Sequence, residues 1–105
     1  MPPEADIFRA LADPTRRAVL EHLAGREMTV TELRGGLSIS QPAISQHLSA
    51  LHQAGLVSER RSGRYAYYRA APDGLAPLAG WMERYRAFWP ARIERLKHLL
   101  KDMDQ

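Results

Sequence analysis

Between residues 40 and 54, an apolar stripe of Ile44, Leu48 and Leu51 recurs at i, i+4 and i+7, and the opposite face carries Gln41, Ser45, Gln46, Ser49 and His52. These five side chains are short or end in an amide or imidazole, and they can donate and accept hydrogen bonds. Exposed helix faces usually carry Glu and Lys, which favour helix and keep a surface soluble. This face has neither. Paired donors and acceptors on a narrow helix suit the edge of a nucleobase, and Gln41, whose amide can pair bidentately with adenine, is the best base reader in the set.

A second cluster follows. Residues 39–72 hold four Lys/Arg against one Asp/Glu, whereas residues 1–38 hold five against six and residues 73–105 six against five. The excess is Arg60, Arg61, Arg64 and Arg69, gathered about Ser62-Gly63. Such a group is either a solvated hairpin or a patch that faces phosphate.

The elements that must position these residues are legible from caps and periodicity. Ile7, Phe8 and Leu11 make a short helical face that ends at Asp13-Pro14, an N-cap followed by a proline suited to the first helical position. Val19, Leu20 and Leu23 continue a second helix to Gly25. Thr29 or Thr31 caps a third, short helix that ends at Gly35-Gly36, and Ser40 caps the fourth. Residues 56–61 and 64–69 read as two strands joined by a turn at Ser62-Gly63. Leu75, Leu78, Met82, Tyr85, Trp89, Ile93, Leu96, Leu100 and Met103 then form a ladder at spacings of three and four, which predicts a terminal helix over 75–103. Pro77 fits its first turn; Pro90 should kink or break it.

The chain has 105 residues, 45% of them hydrophobic and 26% charged, the profile of one globular domain. At this size, apolar surface shared with a second copy would add useful stability. The absence of cysteine excludes disulfides, thiolate zinc sites and thiol nucleophiles. His22, His47, His52 and His98 fall on different elements, no glycine-rich phosphate loop or nucleophile elbow is present, and an enzyme is not expected. No cofactor is expected either. With no membrane span and no signal peptide, the expected location is the cytoplasm.

Three short helices, a capped fourth helix with a polar outer face and a basic hairpin follow the order of a winged helix-turn-helix. The motifs carry a more specific likeness. Ala10-Leu11-Ala12-Asp13-Pro14-Thr15-Arg16-Arg17, then Ser40-Gln41-Pro42-Ala43-Ile44-Ser45-Gln46-His47-Leu48 with Leu51 and Ala54-Gly55-Leu56-Val57, and finally Arg61-Ser62-Gly63-Arg64-Tyr65, resemble the arsenic-repressor (ArsR/SmtB) family of transcriptional repressors. The resemblance implies a mostly α fold with a small β-hairpin, in the order α-α-α-α-β-β-α. It implies one domain over 1–105, with a recognition helix at about 40–54, a wing at about 56–70 and a C-terminal dimerisation helix at about 75–103.

The implied activity is repression through an inverted-repeat operator in double-stranded DNA, bound as a homodimer, with autoregulation as one form of it. The DNA-binding residues are Ser40, Gln41, Ser45, Gln46, His47, Ser49, Arg61, Arg64 and Tyr65. Ser40 suits a cap that also touches phosphate, and His47 suits either DNA contact or packing. The family pairs through its first and last helices, which implies a dimer interface of Ile7, Leu78, Met82, Tyr85, Trp89, Ile93, Leu96 and Leu100.

The chain departs from the family's metal-sensing patterns. Leu33-Arg34-Gly35-Gly36 stands where a Cys-x-Cys site would be, and the terminal helix offers Asp73-Gly74-Leu75 and an isolated His98 with Glu94 one turn before it. No metal site is expected, and the chain more closely resembles the cysteine-free autorepressor branch. Two alternatives stand beside that reading: a winged helix that binds protein, and a metal-responsive repressor with a non-standard site. An apolar patch on the fourth helix would mark the former.

Overall fold

The computed structural model describes residues 2–88 and 90–103. The element order is α1 (Pro3–Leu11), α2 (Pro14–Gly25), α3 (Val30–Gly36), α4 (Gln41–Gln53), β1 (Val57–Ser62), β2 (Tyr65–Ala70), α5 (Ala76–Glu83) and α6 (Pro90–Met103). It is a winged helix-turn-helix, with α3 and α4 as the helix pair and the β-hairpin as the wing.

Each of the central helices starts where a side chain satisfies its free N–H groups. Asp13 Oδ1 accepts from the backbone N–H of Thr15 at 2.8 Å and of Arg16 at 3.1 Å. The Arg16 amide above all, and then the Thr15 amide, hold the Asp13 carboxyl below its ordinary range against an opposing effect of burial. Thr29, rather than Thr31, caps α3 in a reciprocal capping box: Glu32 N–H donates to Thr29 Oγ1 at 3.2 Å, and Thr29 N–H donates to Glu32 Oε1 at 3.0 Å. Ser40 caps α4 by accepting from Ala43 N–H at 3.3 Å.

The end of α4 is equally determined. Gly55 takes φ +77°, Leu56 N–H donates to Leu51 O at 2.9 Å, and Gly55 N–H donates to His52 O at 3.0 Å. These are the two bonds of a Schellman motif, closed by contact between the apolar residues at its ends, Leu51 and Leu56, both buried. The chain therefore leaves α4 at a fixed angle into β1.

Strands β1 and β2 pair antiparallel from Val57↔Ala70 to Ser62↔Tyr65. The two-residue connection is Gly63-Arg64, one position later than the Ser62-Gly63 turn expected from sequence, because Gly63 takes the positive φ, +61°, that the first central residue of such a turn needs. Arg64 is thereby moved from the strand to the tip. Met28, ahead of α3, exchanges both backbone bonds with Tyr68 at 2.9 and 2.8 Å, which anchors the wing to the helical body.

One apolar core joins these elements: Ile7 and Ala10 of α1, Val19 and Leu23 of α2, Met28, Leu33 of α3, Ile44, Leu48 and Leu51 of α4, then Leu56 and Val57. The terminal segment, expected as a helix over 75–103 kinked or broken at Pro90, is divided into α5 and α6, with α5 ending earlier than Pro90 alone would require. Helix α5 stops at Glu83, and residues 84–88 wind in tighter turns, as in the bonds from Tyr85 N–H to Met82 O and from Phe88 N–H to Tyr85 O. Pro90 has no N–H to give an incoming helix, and its ring would meet the carbonyl four residues back, but it suits the first position of α6. Every described side chain from Arg92 to Met103 is exposed.

The packing makes a testable contrast on α4. Leu51→Ala should lower the unfolding free energy by about 3 kcal/mol, and Ser49→Ala, on the exposed face, should change it by less than about 0.5 kcal/mol. Urea denaturation measures both; equal costs would contradict the assignment of the buried face.

Candidate nucleic-acid interface

The buried stripe of α4 determines what its other side presents. With Ile44, Leu48 and Leu51 in the core, Gln41, Ser45, Gln46 and Ser49 are exposed, together with His52 and Gln53. None of the four makes a side-chain hydrogen bond to a described residue, so their donors and acceptors face solvent uncommitted. Ser40 is exposed but spends its hydroxyl on the cap. His47 is set apart: it is half-buried, and its Nδ1 has no partner among the described residues. His47 is thus less open than Gln41, Ser45, Gln46 and Ser49, which are all exposed.

The basic residues of the wing are not equivalent. Strand alternation puts Arg60 on one face of the hairpin with its cross-strand partner Tyr67, and Arg61 on the other with Glu59. Arg60 donates to Glu27 through both Nη2 (2.7 Å to Oε1) and Nε (3.3 Å to Oε2) and lies 4.6 Å over the Tyr67 ring. Arg69 Nε reaches Ser58 Oγ at 3.4 Å. Arg61 Nε lies 2.9 Å from Glu59 Oε1 in an exposed ion pair. Arg64, at the turn, makes no ion pair with a described residue, and Tyr65 beside it is 61% exposed. Of the arginines expected to face phosphate as a patch, Arg60 is committed elsewhere, to a carboxylate that sequence spacing gave no means of finding: Glu27 is 33 residues away.

The residues expected to pair two copies fall into three groups. Ile7 is 1% exposed and lies inside the protomer's own core, so it has no surface left for a partner; its neighbour Phe8, 43% exposed, is the outward residue of α1. Leu78 is partly buried against the same core. Met82, Tyr85, Ile93, Leu96 and Leu100 are exposed, and Trp89 lies outside the described residues. The structure adds Phe88, Leu99 and Met103 to this apolar surface. Leu99 had no place in a ladder counted at strict spacings of three and four, although it adjoins Leu96 and Met103 on the helix surface. Phe8 meets Trp81 edge to face with centroids 5.0 Å apart, and Trp81 lies 4.8 Å from Tyr85, so α1 and α5 share one aromatic block.

Among the described residues no three His, Asp or Glu side chains gather as metal ligands do, and no helix is long and apolar enough to cross a membrane.

Comparison with known proteins places this geometry. The sequence model of the bacterial regulatory protein, arsR family, matches residues 13–59, from the cap of α2 into the wing. The chain is 39% identical over 77 residues to the transcriptional repressor SdpR of Bacillus subtilis, covering 73% of this chain and 86% of that one. It is 45% identical over 93 residues to the HTH-type transcriptional regulator Rv2034 of Mycobacterium tuberculosis, covering 89% and 84%. Among solved structures, an ArsR-like transcriptional regulator from Rhodococcus sp. RHA1 superposes with a TM-score of 0.74 at 35% identity over 92% of both chains. A winged helix-turn-helix whose fourth helix exposes uncommitted amides and hydroxyls, matched in sequence and structure over nearly its whole length, identifies the chain as a member of the ArsR family of bacterial transcriptional regulators, which bind DNA and are not enzymes.

Proposed function

We propose that two copies of this chain bind an inverted-repeat operator and repress transcription, with each α4 in the major groove of one half-site. The observation that carries the reading is the open face of α4. Gln41, Ser45, Gln46 and Ser49 stand together, exposed and without internal partners, beginning at the N-terminal end of the helix, the end a recognition helix turns toward base edges. Gln41 reads a base, with adenine as its natural partner; Ser45, Gln46 and Ser49 bond to bases or phosphates, and Ser40 and His47 support the helix start and its seating on α2. Arg64 and Tyr65 at the wing tip, with Arg61 after release from Glu59, grip phosphate or the minor groove.

The apolar surface of α5 and α6, with Phe8, is the proposed dimer interface. Leu96 is 56% and Leu100 53% exposed on a helix whose described side chains are all open, which is costly for a lone protomer and useful to a pair. Exposed apolar side chains concentrate on these terminal helices, while α4 shows water a polar face; that division favours DNA over a protein ligand for α4. The site of action is the cytoplasm, and the promoter of the protein's own gene is the first operator to test.

Two measurements test the reading. Gln41→Ala should reduce discrimination among operator variants by about 1–3 kcal/mol, while Arg64→Ala should weaken binding to all sequences and flatten the salt slope by about one unit. Unchanged sequence preference in the Gln41 variant would remove it as a base reader. For the interface, Leu96→Glu with Leu100→Glu should raise the dimer dissociation constant by about a hundred-fold or more in sedimentation equilibrium, with helix content retained. A variant that dimerises normally would put this face outside the interface.

A further inference from the structure

The wing of this chain carries a cation that is already paired within the molecule, Arg60, and its partner Glu27 lies 33 residues earlier in the sequence. Glu27 sits in the loop between α2 and α3, and that loop is held on both sides. After it, the Thr29–Glu32 capping box pins the start of α3, and Arg26 Nη2 lies 3.4 Å from Glu32 Oε2. Between the two, Met28 exchanges backbone hydrogen bonds with Tyr68 of β2. The loop is therefore a fixed post beside the outer edge of the wing.

From this post the Glu27 carboxylate takes the Arg60 guanidinium in a two-point grip, Nη2 to Oε1 and Nε to Oε2, while the other side of the guanidinium lies over Tyr67. Tyr67 is the residue directly across the hairpin from Arg60, and Tyr65 lies two residues on, its ring 6.4 Å from that of Tyr67. One face of the wing is thus clamped from the α2–α3 loop through Arg60 to both strands. Arg69 adds a second positive charge near Glu27. The Arg60 hydrogen bond is the foremost cause that holds the Glu27 carboxyl below its ordinary range.

We infer that Glu27 is a positioning residue for the wing: through Arg60 and Tyr67 it sets the angle at which Arg64 and Tyr65 meet DNA, and Arg60 makes no phosphate contact. This rests on the DNA-binding reading above. A guanidinium held by two hydrogen bonds to one carboxylate and laid over a ring is a poorer phosphate ligand than Arg61 with its single contact to Glu59, since releasing Arg60 would leave an unpaired Glu27 beside a polyanion. Two backbone hydrogen bonds at Met28–Tyr68 attach the hairpin to the body along β2, and the side-chain brace adds a second attachment on one face.

The experiment compares wild type, Glu27→Gln, Arg60→Ala, Arg60→Glu and the exchange Glu27→Arg with Arg60→Glu, on the duplex upstream of the protein's own gene. Arg64→Ala serves as the phosphate-contact control. Glu27→Gln and Arg60→Ala should each weaken binding about five-fold with an unchanged salt slope, unlike Arg64→Ala. The exchanged pair should return to within about two-fold of wild type, although the wing has then lost a positive charge. A DNA-free readout accompanies it: amide hydrogen exchange at residues 62–65 should quicken in Glu27→Gln and recover in the exchange. If Arg60→Ala flattens the salt slope by about one unit, or the exchange binds as weakly as Arg60→Glu alone, Arg60 touches phosphate and the inference is overturned. Should wild type itself fail to bind any such duplex, the functional reading fails, and hydrogen exchange alone decides the brace: unchanged protection in Glu27→Gln rejects it.

Discussion

Burial of Ile44, Leu48 and Leu51 is the constraint on which the rest of this structure depends. A helix turns about 100° per residue, so enclosing those three side chains among α2, α3 and the start of β1 leaves no freedom in which residues face outward. Gln41, Ser45, Gln46 and Ser49 are exposed for that reason and no other. The same stripe governs the wing: Leu51 supplies the carbonyl and the apolar contact of the turn that ends α4, so a shift of the helix would redirect β1. Core packing and the choice of the outward face are here one property described from two sides.

Electrostatics refine that frame without determining it. The net charge of +3 is modest, and most of the wing's positive side chains are used inside the molecule, Arg60 by Glu27, Arg61 by Glu59, Arg69 by Ser58. Exposed pairs of this kind contribute little to stability, about 0–1 kcal/mol each. Their value lies in geometry: a planar guanidinium gripped at two points has one preferred orientation, and a hairpin tied through it inherits that orientation. Under the proposed function, the arginine left at the turn, Arg64, would then have a defined position from which to meet a phosphate.

Local features were legible in the sequence to the extent that they are governed by near neighbours. The caps Asp13, Thr29 and Ser40, the α4 stripe and the hairpin depend on residues within one turn, and these match the structure closely. The turn falls one residue later than the sequence alone suggests, because Ser62 and Arg64 are equally plausible flanks for Gly63 and the glycine's positive φ determines which side closes. Ile7 and Phe8 are adjacent apolar residues on a short helix, and only the position of α2 and α5 decides that Ile7 goes inward. The Glu27–Arg60 grip joins residues that pattern cannot relate. The terminal ladder showed the apolar surface correctly at most positions but missed that the chain tightens after Glu83, since periodicity continues through a segment whose hydrogen bonding does not.

The proposed function joins two halves: a polar helix face fixed by one core, and an apolar terminal surface, open in the single chain, that a second protomer would cover. Their combination makes a definite demand on DNA, because a two-fold pair of α4 helices matches two half-sites about one helical turn, or a multiple of it, apart. Titrating the protein at constant salt onto a full inverted repeat and onto a single half-site in a duplex of equal length tests that demand directly. The account predicts affinity for the repeat at least about a hundred-fold higher, with two protomers bound. Equal affinity for the two duplexes, with one protomer on each, would contradict it.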